Sequence, residues 1–143
     1  MTMSHEGVKT GMRTLGAAAV AWTVALTAAS LAAQAPRSVN EGVYTSAQAR
    51  RGEATFTSIC TTCHDTARFT GPDFVSAWSG KSLAGLFEAV QSMPEDNPGS
   101  LTAQQYADVI AYFLQLNEYP TGSSELAGEE DAMKAIGMDA HKP

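Results

Sequence analysis

The segment Cys60-Thr61-Thr62-Cys63-His64 constrains the fold of this chain more than any other feature, because it holds both cysteines and one of the three histidines. Two thiols at this spacing can both reach one edge of a porphyrin and form thioether bonds with its vinyl groups. A histidine that follows directly can turn its imidazole to the iron as an axial ligand. We therefore predict one covalently bound haem c, attached through Cys60 and Cys63 and ligated by His64.

Three other uses of a cysteine pair fit this sequence less well. A thioredoxin-type redox pair belongs to a βαβ unit, and no alternating strand pattern lies near these residues. A zinc site needs four ligands, but the remaining histidines, His5 and His141, lie at opposite ends of the chain. A structural disulfide would use both thiols and leave the adjacent histidine unexplained. Haem attachment is the use that involves all three side chains.

The N-terminal segment has the pattern of an export signal. Lys9 and Arg13 precede an alanine-rich apolar stretch, residues 15–33, and Ala33 and Ala35 fit the small-residue rule of a signal peptidase site. We expect residues 1–35 to be a cleaved signal peptide that directs the protein to the periplasm. The alternative is a retained membrane anchor, because the uncharged stretch is long enough to span a bilayer.

Residues 36–143 amount to one domain, and the whole chain has a net charge of −6. Proteins that bind nucleic acid need a basic face, so the acidic balance argues against DNA or RNA as a partner. A small domain buries a limited fraction of its surface, and a large apolar cofactor would add to its core. Membrane contact is expected only if the N-terminal segment is retained.

Helix signals recur along this domain. Thr45-x-x-Gln48 and Thr102-x-x-Gln105 both resemble capping boxes, and the first opens a helix that runs towards Ile59 and the cysteine motif. Ser82 can cap a third helix with a buried stripe. The helix after Thr102 is the most clearly amphipathic, with an apolar face formed by Tyr106, Val109, Ile110, Phe113 and Leu114. The pattern predicts an all-α fold of short helices.

Met93 is the candidate for the second axial ligand. The other methionines lie in the N-terminal segment or in the acidic tail, whereas Met93 precedes Pro94, which disfavours helix at the residue before it. We expect Met93 to start an extended segment over one face of the haem. His141 is the rival ligand, but it lies close to the C-terminus, where chains fray. An iron with two protein ligands favours electron transfer over gas binding or peroxidase chemistry.

These motifs, in this order, resemble those of class I c-type cytochromes. The resemblance covers about residues 45–117 and rests on the cysteine motif, Gly71-Pro72, Met93-Pro94 and the aromatic helix with Tyr112. It implies a cytochrome c fold, in which three to five short helices wrap around one covalently bound haem.

The resemblance also implies roles for single residues. The carbonyl of Pro72 would accept a hydrogen bond from the His64 ring and fix its tautomer. Trp78 would line the pocket or bond a haem propionate. Gly52 and Phe56 would lie where the first helix meets the last, against Val109, Tyr112 and Phe113.

A narrower resemblance lies in three motifs: Trp78-x-Gly80-x-Ser82-Leu83, Met93-Pro94-x-x-x-Pro98-Gly99-Ser100-Leu101 and Asn117-x-x-Pro120-x-Gly122. It is similar to periplasmic bacterial cytochromes that accept electrons from quinoprotein dehydrogenases. The implied function is non-enzymatic: single electrons pass from a dehydrogenase to an oxidase or another cytochrome. The alternatives are a haem sensor or peroxidase-like protein with a labile sixth ligand, and a fixed cytochrome subunit of a dehydrogenase.

We place the cytochrome domain at residues 36–122 and an acidic C-terminal tail at 123–143. In the tail, Glu129, Glu130 and Asp131 suit the first turn of a short surface helix, with Lys134 later and Gly137 as its stop. We expect this tail to be a solvated charge run or a helix laid on the surface.

Overall fold

The computed structural model describes residues 37–140. The predicted signal peptide or anchor, residues 1–35, and the rival ligand His141 lie outside the described residues. The described chain forms five α-helices: α1 (Ser46–Ile59), α2 (Pro72–Trp78), α3 (Leu83–Gln91), α4 (Ala103–Leu116) and α5 (Glu130–Lys134). Three short 3-10 turns lie at Val39–Glu41, Cys60–Thr62 and Thr66–Phe69. The predicted predominantly helical cytochrome c fold is confirmed.

One small sheet accompanies the helices. Its strands are β1 (Arg37–Ser38), β2 (Lys81–Ser82) and β3 (Ile136–Met138), in the order β1-β3-β2. Strand β3 pairs parallel with β1 and antiparallel with β2, so the two ends of the described chain meet beside the start of α3. Within residues 37–140, no helix has the length and apolar character needed to cross a membrane.

Helices α1 and α4 form the central pair of the fold. They approach most closely at Gly52, where a side-chain methyl would overlap the carbonyl of Asp108 and lie 2.9 Å from the amide nitrogen of Val109. The contact expected for Gly52 is therefore confirmed, and its cause is steric: only a residue without a Cβ lets the two backbones meet.

Aromatic rings continue this helix contact towards the cysteine motif. The fully buried ring of Phe56 lies 5.7 Å from the ring of Tyr112 and 5.6 Å from that of Phe113, centroid to centroid. A further ring, Phe69, meets Phe56 edge-on at 5.4 Å. Such tilted and edge-to-face pairs are favoured geometries for aromatic side chains. The predicted contacts of Phe56 are thus confirmed.

The two predicted capping boxes have different outcomes. Thr102 and Gln105 form the complete box at the start of α4. Thr45 caps α1 by accepting from the backbone of Gln48, but the Gln48 side chain does not return the bond. It is buried and pairs instead with the backbone of Leu126, through bonds of 2.8 and 2.7 Å. Gln48, which the local pattern predicted as a capping residue, therefore binds a segment far away in sequence.

Helix α2 was not among the helices predicted from the sequence. Gly71 adopts a φ of 86°, which is strained for other residues, and Pro72 is the first helical residue. Proline is favoured at that position because its fixed φ suits the helix and no intrahelical N–H is lost. The sequence signal was therefore present.

Residues 123–140 include the short surface helix that we expected as one alternative, but several of their apolar side chains are buried in the core, which the solvated charge run did not anticipate. The predicted helix forms as α5, with acidic residues in its first turn and Lys134 in its last. Its other side is apolar, and Met133 is fully buried, as is Met138 in β3. Hydrophobic burial at these positions outweighs the local acidic composition.

A charged network joins α1, α4 and this C-terminal segment. Arg51 donates to both oxygens of the buried Asp108 carboxylate, at 2.9 and 3.0 Å, and to Glu125 through two bonds of 2.8 Å. Gln104 adds a bond of 3.0 Å to Asp108. Burial by itself raises the pKa of Asp108, but the hydrogen bonds from Arg51 and Gln104 outweigh it, so the pKa lies below its ordinary value.

Candidate haem site

The cysteine motif begins where α1 ends. Cys60 is the C-cap of α1, and the chain then turns so tightly that the backbone N–H of His64 donates to the Cys60 carbonyl at 2.9 Å. Both cysteines are free thiols. Cys60 and His64 are half-buried and Cys63 is exposed. Burial raises the pKa of the Cys60 thiol, which keeps it neutral in its apolar surroundings. The structural disulfide considered above is absent from the structure.

Two adjoining cavities open beside this motif, with volumes of about 450 and 540 Å³. Each lies in the usual range for cofactor sites, about 300–1,000 Å³. The residues common to both linings are Cys60, His64, Val90, Met93 and Val109. The structure therefore brings the first cysteine, the adjacent histidine and the candidate methionine to one place, although 33 positions separate the outermost of them in sequence.

Aromatic rings form the wall next to His64. The ring of Phe69 meets the imidazole edge-on, with centroids 5.5 Å apart, and stacks on Phe113 at 4.4 Å with an interplanar angle of 6°. Trp78 also lines the smaller cavity, and the ammonium of Lys81 lies 4.9 Å from its ring centroid. Trp78 is therefore placed where the resemblance implied a pocket residue, and the bond to a propionate stays a prediction.

Pro72 is not brought to the cavity in the same way. It is an exposed residue at the start of α2 and lines neither cavity. Among residues 37–140, no hydrogen bond joins the Pro72 carbonyl to the His64 ring. That role remains a prediction, and it would require the ring and the carbonyl to approach.

Met93 lines both cavities from a non-helical segment that begins shortly after α3. Its backbone N–H donates to the Val90 carbonyl at 3.1 Å, and its own carbonyl accepts from the Tyr106 hydroxyl at 3.0 Å. The expected break in the helix at Met93 is confirmed, but residues 94–99 form turns and bends instead of the extended segment that we expected. We predicted Tyr106 only as a core residue on α4; its hydroxyl also holds the segment that carries Met93.

A second polar residue that the sequence did not mark for this site is Asn117, the C-cap of α4. It is 9% exposed and bonds to the backbone of the loop between the cysteine motif and α2. The sequence marked Asn117 only as part of the narrower resemblance, through Asn117-x-x-Pro120-x-Gly122, and assigned it no role at the haem.

The residues present fit a haem covalently bound at the cysteine motif. Two free thiols, an imidazole and a thioether converge on apolar cavities walled by Phe56, Phe69, Phe74, Trp78, Leu86 and Phe113. The donor set is that of a c-type haem with histidine and methionine available to the iron. A zinc site finds no support, since residues 37–140 contain no group of three or more His, Cys, Asp or Glu side chains able to hold a metal ion.

Residues 47–113 match the family model described as cytochrome c oxidase, cbb3-type, subunit III. Comparison with curated proteins and with solved structures gives no match. The matched residues include the cysteine motif, Met93 and most of the α1–α4 pair, so the family model covers the site whose geometry is described above. Residues 47–113 are therefore similar to a c-type cytochrome domain, which is consistent with the class I resemblance, and such a domain implies covalently bound haem c and electron transfer.

Proposed function

We propose that this protein is a periplasmic monohaem electron carrier in which His64 and Met93 are the two axial ligands of the haem iron. The observation that carries the proposal is the presence of both side chains in the lining of both cavities, together with Cys60. The proposal extends the electron-transfer assignment to the ligand pair, the location and the partners.

The chain's own residues give the site its properties. The haem iron supplies a one-electron couple when it is bound. The imidazole of His64 and the thioether of Met93 would occupy both axial positions, and a thioether raises the reduction potential relative to a second imidazole. The apolar walls would limit the access of water to a bound haem, and the Tyr106 bond fixes the backbone at Met93. A fixed pair of protein ligands favours electron exchange over substrate chemistry.

Electrons would enter and leave at the exposed edge of the cysteine motif. Cys63 is exposed, and Ile59 beside it is 37% exposed, the one large hydrophobic side chain so open among residues 37–140. Glu95 and Asp96 line the larger cavity on the same side. A small apolar contact with acidic neighbours suits the brief, small interfaces of redox partners.

The location and the partners rest on the sequence. The export pattern of residues 1–35 supports a periplasmic protein, anchored to the membrane only if that segment is retained. The narrower resemblance supports a dehydrogenase as electron donor and an oxidase or another cytochrome as acceptor. Intact-mass measurement of the exported protein tests the cleavage and the haem count together, because a cleaved chain with one haem has a single expected mass.

The ligand pair is tested by replacing Met93 with leucine in the haem-bound protein. We expect Met93→Leu to lose the methionine–iron charge-transfer band of the oxidised protein and to bind carbon monoxide readily when reduced. Met133→Leu is the matched control, since Met133 is fully buried but lines neither cavity. A wild-type protein without the band, or a Met93→Leu protein that keeps it, would show that Met93 is not the ligand.

A second candidate is a cytochrome subunit held permanently in a larger redox complex. The observation that favours it is the family model itself, whose description names an oxidase subunit. Gel filtration of protein purified from its native membranes and periplasm separates the two: a free carrier elutes at the size of one chain, and a subunit elutes with its complex.

A further inference from the structure

We propose that Asn117 is a positioning residue for His64: its side-chain amide fixes the Phe69–Gly71 loop, and the loop fixes the orientation of the imidazole. The inference rests on the proposed ligation of the iron by His64. It assigns a role at the haem site to a residue at the far end of α4, outside the matched segment 47–113.

Both polar atoms of the Asn117 amide are hydrogen-bonded inside the protein, through three bonds. Its Nδ2 donates to the carbonyl of Phe69 at 2.8 Å and to the carbonyl of Phe113 at 2.8 Å. Its Oδ1 accepts from the backbone N–H of Gly71 at 2.9 Å. Two of these three bonds reach a loop more than 40 positions away in sequence, so the side chain connects α4 to the loop rather than only ending its own helix.

The loop passes this restraint to the imidazole through one ring. Phe69 is held at its carbonyl by Asn117 and at its ring by Phe113, on which it stacks at 4.4 Å. Asn117 and Phe113 are one helical turn apart at the end of α4. This helix end therefore contacts both the backbone carbonyl and the ring of Phe69. The same ring meets the His64 imidazole edge-on at 5.5 Å and 88°. Phe69, held in this way, presents a fixed ring edge or face against which the imidazole packs.

The hydrogen bond between Asn117 and Gly71 also affects the backbone that leads to Pro72. The N–H of Gly71 is bonded to Asn117 while the φ of Gly71 is 86°, and Gly71 precedes Pro72, the residue expected to orient the histidine through its carbonyl. Loss of the hydrogen bond from the Gly71 N–H to Asn117 would let the backbone at Gly71 and Pro72 move, and the Pro72 carbonyl would move with it. Groups that orient an axial ligand also tune the electronic properties of the metal.

Gln48 supplies a matched comparison. It is also buried, and its amide also makes two short bonds to a distant backbone, at Leu126. Gln48 lines neither cavity, and its bonds hold the C-terminal segment instead of the loop next to His64. Loss of either side-chain amide should lower the free energy of unfolding. Only loss of the Asn117 amide should change the environment of the haem.

The experiment compares Asn117→Ala with Gln48→Ala in the haem-bound protein. The measurements are the electron paramagnetic resonance g-values of the oxidised haem, the exchange rate of the Gly71 amide proton and the denaturation midpoint. We expect both variants to unfold at lower denaturant concentration. Only Asn117→Ala should change the g-values, and it should speed the exchange of the Gly71 amide by about tenfold, as expected for the loss of one hydrogen bond.

Asn117→Asp keeps the test decisive if the alanine variant does not fold. It retains an oxygen for the Gly71 N–H but cannot donate to Phe69 as the amide does, so we expect changed g-values with little change in Gly71 exchange. Unchanged g-values in a folded Asn117 variant, or an equal change in Gln48→Ala, would overturn the inference. Failure of His64 ligation is recognised separately, because the wild-type spectrum would then lack an axial imidazole.

Discussion

The close approach of α1 and α4 at Gly52 predicts a large effect for a small substitution, Gly52→Ala. The added methyl would overlap the carbonyl of Asp108 and lie 2.9 Å from the nitrogen of Val109, inside the 3.0 Å limit that real Cβ atoms observe. Both neighbours are backbone atoms of α4, so neither can move aside as a side chain can. Helices α1 and α4 would have to separate.

The expected loss of stability follows from two opposing effects. Overpacking of this kind costs about 1–3 kcal/mol, and backbone neighbours place Gly52 near the upper end. Alanine is better than glycine in a helix interior by about 1 kcal/mol, which offsets part of the cost. We expect a net loss of about 2 kcal/mol, which lowers the melting temperature of a domain of this size by roughly 10 °C.

The assay is denaturant unfolding of the haem-bound protein, followed by circular dichroism and by haem absorbance. Gly85→Ala is the matched control, because Gly85 lies in α3 and an added methyl would meet only the Trp78 ring, at an ordinary contact distance of 3.7 Å. Gly85→Ala should leave the denaturation midpoint unchanged or raise it. A Gly52→Ala protein as stable as wild type would refute the argument that glycine is required where these two helices meet.

Three further predictions concern Tyr106, Asp108 and Met133. Tyr106→Phe removes the hydroxyl that donates to the Met93 carbonyl, and we expect a loss of about 1 kcal/mol together with a weaker Met93–iron charge-transfer band. The pKa of Asp108 is lowered in the folded protein, so its contribution to stability is present above the ordinary carboxyl pKa and is lost as the pH falls through the folded value. Asp108→Asn should therefore be less stable at neutral pH and less sensitive to acid in urea unfolding. Met133→Ala should cost about 2–5 kcal/mol, because this tail residue is fully buried, and should leave the haem spectrum unchanged.

Each of these has an outcome that would contradict it. An unchanged band in Tyr106→Phe would mean that the hydroxyl does not steady Met93. If Asp108→Asn lost stability in acid to the same extent as wild type, the pH dependence of stability would come from another group. Glu129→Gln is the control for Met133→Ala: Glu129 is exposed, and a comparable loss there would mean that charge rather than burial holds the tail.

Short-range patterns predicted the elements of this protein well. The capping residues Thr45 and Thr102 and the proline after Met93 act within a few positions along the chain, so they can be recognised without knowledge of the fold. Attachment chemistry is equally local, because two thiols and an imidazole within five residues must share one cofactor. The family resemblance added the meeting of Gly52 with α4, which the structure confirms.

Apart from α2, whose local signal at Gly71-Pro72 was overlooked, the misassigned features depend on partners far away in sequence. Gln48 looks like a capping residue, and its amide binds Leu126 instead; the acidic segment after residue 122 looks solvated, and its apolar positions complete the core. Nothing near Asn117 or Tyr106 indicates which backbone groups their side chains will meet. By itself, the sequence determined a helical domain with a haem-attachment motif, because those signals are local. Only the tertiary structure decided how the tail completes the core and which polar side chains hold the segments that carry His64 and Met93. The reason is that buried donors and acceptors pair with whichever groups the folded chain brings close to them.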